Sequence, residues 1–192
     1  MARRGAIPPG REPLSRERIV QAGLRLADAQ GLDAISMRRV GAELGVEAMS
    51  LYRYVGGKDD LVDAIVDAVV SEFPAPDPAL DWRGRLRSIA LGAYLVLLDH
   101  PWVAAPATSR PATGPARTAY LAALDDALRW GGCDAHLARD AAHAIDNHVF
   151  AFSLQEARHA SRSETERDAE FIFVLDLLIG GIERMLTTSA GD

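Results

Sequence analysis

Apolar residues recur at intervals of three and four along almost the whole chain, and nowhere do they alternate over any length. That period gathers them on one face of a helix and excludes half-buried strands, whose faces repeat every second residue. The stripes are cut into separate helices by glycine and proline. Ser15 can cap a first helix carrying Ile19, Ala22, Leu26 and Ala27, which Gly31 ends. Ser36 caps a second helix through Met37, Val40 and Leu44, closed by Gly45. A third runs from about Glu47 to Val55, and a fourth starts at Lys58 with Leu61, Ile65, Ala68 and Val69 inward. Phe73-Pro74-Ala75-Pro76-Asp77-Pro78 stops it, because proline cannot continue a helix. Beyond it, Asp81 caps a helix that ends at Pro101, residues 102–107 form a short helical piece, and 108–115 read as a loop. Ala116–Trp130, Asp134–Ala160 and Arg167–Thr187 complete an all-α chain, with 161–166 a polar loop.

Charge is distributed unevenly. Residues 1–58 carry ten Lys and Arg against six Asp and Glu, a balance of +4, and residues 59–192 carry −10, which together make the net −6. A phosphate backbone attracts the first part and repels the second. The single cysteine, Cys133, allows no disulfide within the chain, which fits a reducing cytoplasm, and it reads as an inert small residue in a Gly131-Gly132-Cys133 turn. No apolar run is long enough to span a membrane. Arg3 and Arg4 are not followed by the apolar stretch of a secretory leader. The domain reading is a Gly-, Pro- and Arg-rich arm over 1–14, a helix-turn-helix over 15–60 and a larger helical domain over 61–192.

Residues 36–58 carry the function. Val40 and Leu44 lie one turn apart on the inner face of the second helix, and Gly45 can take the left-handed conformation that turns the chain sharply. Val46 follows as a buried pin. Leu51 and Val55 anchor the third helix from below. Ala48, Met49, Ser50, Tyr52, Arg53 and Tyr54 are then left on the face that can meet a DNA groove. The alternative is a helical hairpin packed inside a core, which would not place Tyr, Arg and Tyr in a row beside two glycines and a lysine.

The runs Leu44-Gly45-Val46, Ser50-Leu51-Tyr52-Arg53-Tyr54-Val55 and Gly57-Lys58-Asp59-Asp60-Leu61, with Gly31-Leu32 and Met37-Arg38-Arg39-Val40 before them, resemble the signature of the TetR family of transcriptional regulators over about residues 15–65. The likeness is strongest to the tetracycline-repressor branch, which also has Val-Glu before the recognition helix and Lys-x-x-Leu after it. Gly41 departs from it, standing where the family usually has alanine, at a cost in helix propensity of about 1 kcal/mol. The resemblance implies a three-helix DNA-binding head on a helical ligand-binding and dimerisation domain. It implies DNA contacts from Arg38, Ala48, Met49, Ser50, Tyr52, Arg53, Tyr54 and Lys58. Met49 suits a thymine methyl, Lys58 a phosphate at a helix N-terminus, and Arg53 either a guanine edge or a phosphate. Arg3, Arg4 and Arg11 form either a minor-groove arm or a solvated tail.

In the larger domain, Phe171, Leu175, Leu178, Ile182 and Met185 make a seam along the last helix, and Gly180-Gly181 admits a close neighbour. The seam serves either the monomer's own core or a dimer. The resemblance favours a homodimer joined by the last helix and the helix 134–160, and two-fold pairing is what lets short recognition helices read a palindrome. Tyr94, His100, Trp102, His143, Asn147 and Phe150 are the candidates for lining a small-molecule pocket, each equally suited to core or surface. No histidine pair has metal-ligand spacing, no cofactor motif occurs, and no nucleophile–base pair or phosphate loop suggests an enzyme. The expectation is a cytoplasmic, ligand-responsive regulator of double-stranded operator DNA, a repressor released by a small apolar or aromatic inducer. An activator with the same head is the rival.

Overall fold

The computed structural model describes residues 13–109, 114–157 and 163–189. Residues 1–12 of the N-terminal arm, with Arg3, Arg4 and Arg11, and His159 lie outside them. Among the described residues the chain is all-helical: α1 Arg16–Gln30, α2 Met37–Leu44, α3 Ala48–Leu51, α4 Lys58–Val70, α5 Trp82–Asp99, α6 Ala104–Ser109, α7 Pro115–Trp130, α8 Ala135–Glu156 and α9 Glu164–Ser189. It divides into two compact units, with the division inside α4 after Ile65.

In the first unit the sequence caps act as read. Ser15 accepts from the Arg18 amide and Ser36 from the Arg39 amide, each at 3.3 Å, satisfying donors that a helix start leaves open. Ile19, Ala22, Val40, Leu51, Leu61 and Ile65 meet in a fully buried core. Gly45 is left-handed at φ 64°, ψ 37°. Gly41 has a role that propensity does not register. A Cβ there would stand 2.8 Å from the carbonyl oxygen of Val46 and 3.2 Å from the Ala48 amide, so its absence lets α2 lie directly against the turn that launches α3.

The third helix is shorter than its sequence span. Regular helix ends at Leu51, and residues 52–54 continue as turns held by Tyr54 and Val55 amides donating to the Leu51 carbonyl at 2.9 and 3.1 Å. Gly56 and Gly57 follow immediately, so the chain cannot propagate the helix.

In the second unit α5, α7 and α8 pack together, α6 lies on α8, and α9 covers α8 and α5. An aromatic cluster fills the middle: Tyr94 of α5 stacks on Phe171 of α9 at 4.0 Å, with Phe152 of α8 edge-on to both. Boundaries in this unit move from their expected places: α6 spans Ala104–Ser109 where 102–107 was expected, and α9 ends at Ser189 where Thr187 was expected. The last helix begins at Glu164 because Ser163 and Glu166 form a reciprocal cap, the Glu166 amide donating to Ser163 Oγ and the Ser163 amide to the Glu166 carboxylate, both at 3.3 Å. α7 begins at Pro115, since proline at a first helical position has no amide to leave unsatisfied. Cys133 is buried, and burial pushes its thiol up, away from the thiolate form.

The residue before Pro115 is glycine and offers α7 no side-chain cap. Asp67 of α4 supplies one from outside the helix, its Oδ1 accepting from the amides of Ala116 at 3.0 Å and Arg117 at 3.1 Å. Asp67→Ala is expected to lower the unfolding free energy by about 1 kcal/mol, the usual loss for a helix cap, measured by urea titration of the whole chain.

Candidate nucleic-acid interface and a cavity in the second unit

The first unit presents α3 on a buried footing. Leu51 is completely buried and Val55 nearly so. Around them stand exposed side chains: Met49 at 74% and Tyr52 at 49% of full accessibility, with Arg53, Tyr54 and Lys58 also exposed. Arg38 is exposed on α2, and Ala48 and Ser50 are half-buried. Apart from Arg38, the expected contact residues thus lie on one short segment, with Met49, Tyr52, Arg53, Tyr54 and Lys58 on its accessible side. Large apolar and aromatic groups in water are costly unless a partner covers them. Val46, expected as a buried pin, is only half-buried; its amide instead donates to the Gly41 carbonyl at 2.8 Å and braces the turn.

Sequence reading missed what holds this segment in place. The Arg16 guanidinium, at the start of α1, donates to both oxygens of Asp60 at 2.7 and 2.9 Å and to the Tyr54 carbonyl at 2.9 Å. Asp60 also accepts from the Gly56 amide at 2.7 Å. One planar cation therefore fastens the end of the exposed turn to the beginning of α4, and its fork geometry suits that task. Hydrogen bonds from Arg16 and from the Gly56 amide hold the Asp60 carboxyl down at about 2. Arg16 and Asp60 are 44 residues apart, so no local pattern links them.

In the second unit a cavity of about 350 Å³ lies between the end of α4, the proline-rich segment after it, α5 and α7. Phe73, Pro74 and Pro76 form one side, Ile89 another, and Ala119, Tyr120 and Ala123 the third. None of the six residues expected to line a pocket does so here. Tyr94 is at 0% accessibility, its ring stacked on Phe171, its hydroxyl donating to Asp168 at 2.8 Å and accepting from Arg167 at 2.8 Å. It belongs to the core. His100 and Trp102 meet edge-on at 6.5 Å, and His100 lies 3.6 Å from the Glu72 carboxylate. His143 and Asn147 do share a helical face, but it is the outward one and both are exposed. Phe150 comes nearest. It is buried behind the wall, its centroid 6.2 Å from Phe73 and 6.4 Å from Tyr120. The missed lining residues sit around a proline run that sequence reading treated only as a boundary.

The expected seam on α9 divides in two. Phe171 and Leu175 are buried within the protomer's own core, so these two are corrected to internal packing, while Ile182, largely buried, still lines the groove between α8 and α9. Met185 is exposed and Leu178 half-buried. They border a groove of about 680 Å³ between α8 and α9, together with Leu137, Ala144 and Leu177. Phe173 and Leu177, at 63% and 54% accessibility, extend the same apolar surface. Among the described residues no three or more His, Cys, Asp or Glu come together as metal ligands, and no helix is long and apolar enough to cross a membrane.

Residues 19–65 match the family described as "Bacterial regulatory proteins, tetR family", and residues 74–168 match "Tetracyclin repressor-like, C-terminal domain". The "HTH-type transcriptional repressor DrrR1" of Streptomyces coeruleorubidus is 36% identical over 170 residues, covering 85% of this chain and 63% of that protein. The chain spans slightly under two thirds of the length of the curated relatives it matches first. Among solved structures, apo ActR from Streptomyces coelicolor superimposes with a TM-score of 0.83 at 28% identity, covering 93% of this chain and 99% of that one. ActR in complex with actinorhodin gives 0.82 at 27% identity, covering 91% and 97%.

The low Asp60 value fixes the sign of a pH effect. A carboxylate whose folded value lies below its unfolded value of about 3.9 stabilises the fold above that range and stops doing so as the pH falls through it. Asp60→Asn should therefore lower the melting temperature at pH 7 by a modest amount, since the pair is screened by solvent. The gap to the unaltered chain should narrow as the pH drops from about 4 towards 2, followed by circular dichroism.

Proposed function

Because the chain belongs to the tetR family of bacterial regulatory proteins, a family of regulators and not of enzymes, we propose that it binds operator DNA as a homodimer and represses transcription until a small apolar or aromatic molecule releases it. The observation that carries this reading is the exposed run Met49, Tyr52, Arg53, Tyr54 and Lys58 raised over buried Leu51 and Val55. A short helix with an anchored underside and an accessible face suits the major groove. The positive balance of residues 1–58 draws that face to phosphate, and the negative remainder keeps the rest of the chain away from it. Lys58 and the N-terminus of α4 serve a phosphate oxygen, while Ala48, Met49, Ser50 and Arg53 face base edges. The repressor name of DrrR1 supports repression over activation. The actinorhodin complex of ActR supports an organic effector for the cavity of the second unit. This regulator works in the cytoplasm, where operator and effector meet.

The groove between α8 and α9, with Phe173, Leu177, Leu178 and Met185, is the surface for a second copy. Two-fold pairing would cover these apolar side chains and place two recognition helices on successive grooves of a palindrome. Effector binding acts through α4, which contributes Val70 to the cavity wall and Lys58 to the DNA face of the first unit. An effector releases DNA only by binding the unattached conformation more tightly.

Duplexes selected from a randomised pool by the whole chain should be palindromic, with half-sites about one helical turn apart. Lys58→Ala should weaken binding to them across sequences and reduce the salt slope by about one unit. Tyr52→Ala should also weaken binding, and unchanged affinity in both variants would count against this face. For the dimer, sedimentation of the double variant Phe173→Glu, Leu177→Glu should give monomer where the unaltered chain gives dimer, with the helical spectrum intact.

A further inference from the structure

Arg16 is an exposed cation in the positively charged part of the chain, at the start of α1. An arginine so placed near a DNA face would ordinarily serve a phosphate. Its hydrogen bonds point elsewhere. Nη1 donates to the Tyr54 carbonyl and to one Asp60 oxygen, both at 2.9 Å, and Nη2 donates to the other Asp60 oxygen at 2.7 Å. The fork is occupied by acceptors of the chain itself, and its charge is balanced by a carboxylate that stays ionised. Each acceptor belongs to one side of a weak point. Tyr54 lies in the turn after α3, where regular helix has ended and two amides share the Leu51 carbonyl. Asp60, the third residue of α4, accepts from the Gly56 amide at 2.7 Å. Between them stand Gly56 and Gly57, the latter at φ 147°, where the backbone is least restrained by its own side chains. Tyr52, Arg53 and Tyr54 precede this link and Lys58 follows it. Base and phosphate contacts can be made together only if the two groups keep one spacing across the glycines.

We propose that Arg16 is a positioning residue for sequence discrimination: without touching DNA, it holds Tyr52, Arg53 and Tyr54 in register with Lys58 by binding the Tyr54 carbonyl and the Asp60 carboxylate at once. The proposal rests on the DNA-binding reading given above and adds a residue which that reading does not place on DNA. Attraction to phosphates depends on charge and tolerates a loose turn, whereas choosing between base sequences depends on where side chains are held. Removing the clamp at constant net charge therefore separates the two.

The double variant Arg16→Met, Asp60→Asn deletes one charge of each sign, and the asparagine keeps an oxygen for the Gly56 amide. Arg16→Lys keeps the charge but cannot hold the carbonyl and both carboxylate oxygens together. Fluorescence anisotropy follows binding of the whole chain over a range of salt, well below the melting temperature and with the helical spectrum intact. The two targets are a duplex selected by the unaltered chain from a randomised pool and a scrambled duplex of the same composition. Both variants should bind the scrambled duplex as the unaltered chain does, with the same salt slope. Their preference for the selected duplex should fall about tenfold, the scale of one lost base contact. An unchanged preference in the double variant, even with a lower melting temperature, would make the pair merely structural and overturn the proposal. A shallower salt slope in the double variant would overturn it too, because Arg16 would then be a phosphate contact. So would full preference in Arg16→Lys, since charge alone would then suffice. If the unaltered chain itself prefers no duplex, the DNA-binding reading falls and takes the proposal with it. Preference in the unaltered chain that persists in the variants sinks the proposal alone.

Discussion

A helix of four residues has no stability of its own, since nucleation costs more than one turn of hydrogen bonds returns. α3 exists because Leu51 is driven into the core of the first unit and because Gly41 lets α2 approach the turn ahead of it. The exposed residues around Leu51 inherit their positions from that burial. Arg16 then fixes the downstream end, binding the Tyr54 carbonyl and the Asp60 carboxylate together. The candidate DNA face is thus rigid from beneath and at its end, which a surface must be if its side chains are to meet base edges with useful discrimination.

The second unit solves a different problem. It leaves a half-open cavity in the side of a packed helical domain. Its aromatic residues divide the work: Tyr94, Phe152 and Phe171 fill the centre, while Phe73, Tyr120 and Phe150 stand at the cavity and behind it. Proline at 74 and 76 keeps that side of the wall from continuing α4 as helix. Arg117 and Asp146 tie α7 to α8 beside the cavity without leaving free charge in it. Asp67 ties α4 to the first turn of α7, so two of the helices that line the cavity are bonded directly to each other.

Reading α9 shows where periodicity stops being informative. Its apolar residues cover more than one stripe, and Phe171 and Leu175 fall on the stripe that the protomer itself buries. Phe173 and Leu177 belong to another, left exposed. A period of 3.6 states that a face is apolar and does not state what covers it. The position of the pocket candidates has a related cause. His143 and Asn147 share a face of α8, as their spacing requires, but only the packing of α5, α7 and α9 decides which face of α8 is inside.

By itself the sequence determined the helical class, the sharp turn at Gly45, the anchoring pair Leu51 and Val55, and the exposure of Met49, Tyr52, Arg53, Tyr54 and Lys58 around them. Each of these rests on spacing along one chain segment or on the conformational freedom of one residue, and such local physics survives without a fold. Tertiary structure alone decided the Arg16–Asp60 clamp, the Asp67 cap, the division of the α9 stripe and the cavity around Tyr120. Those depend on side chains far apart in the sequence being brought within hydrogen-bonding or van der Waals distance, which is a property of packing and not of pattern.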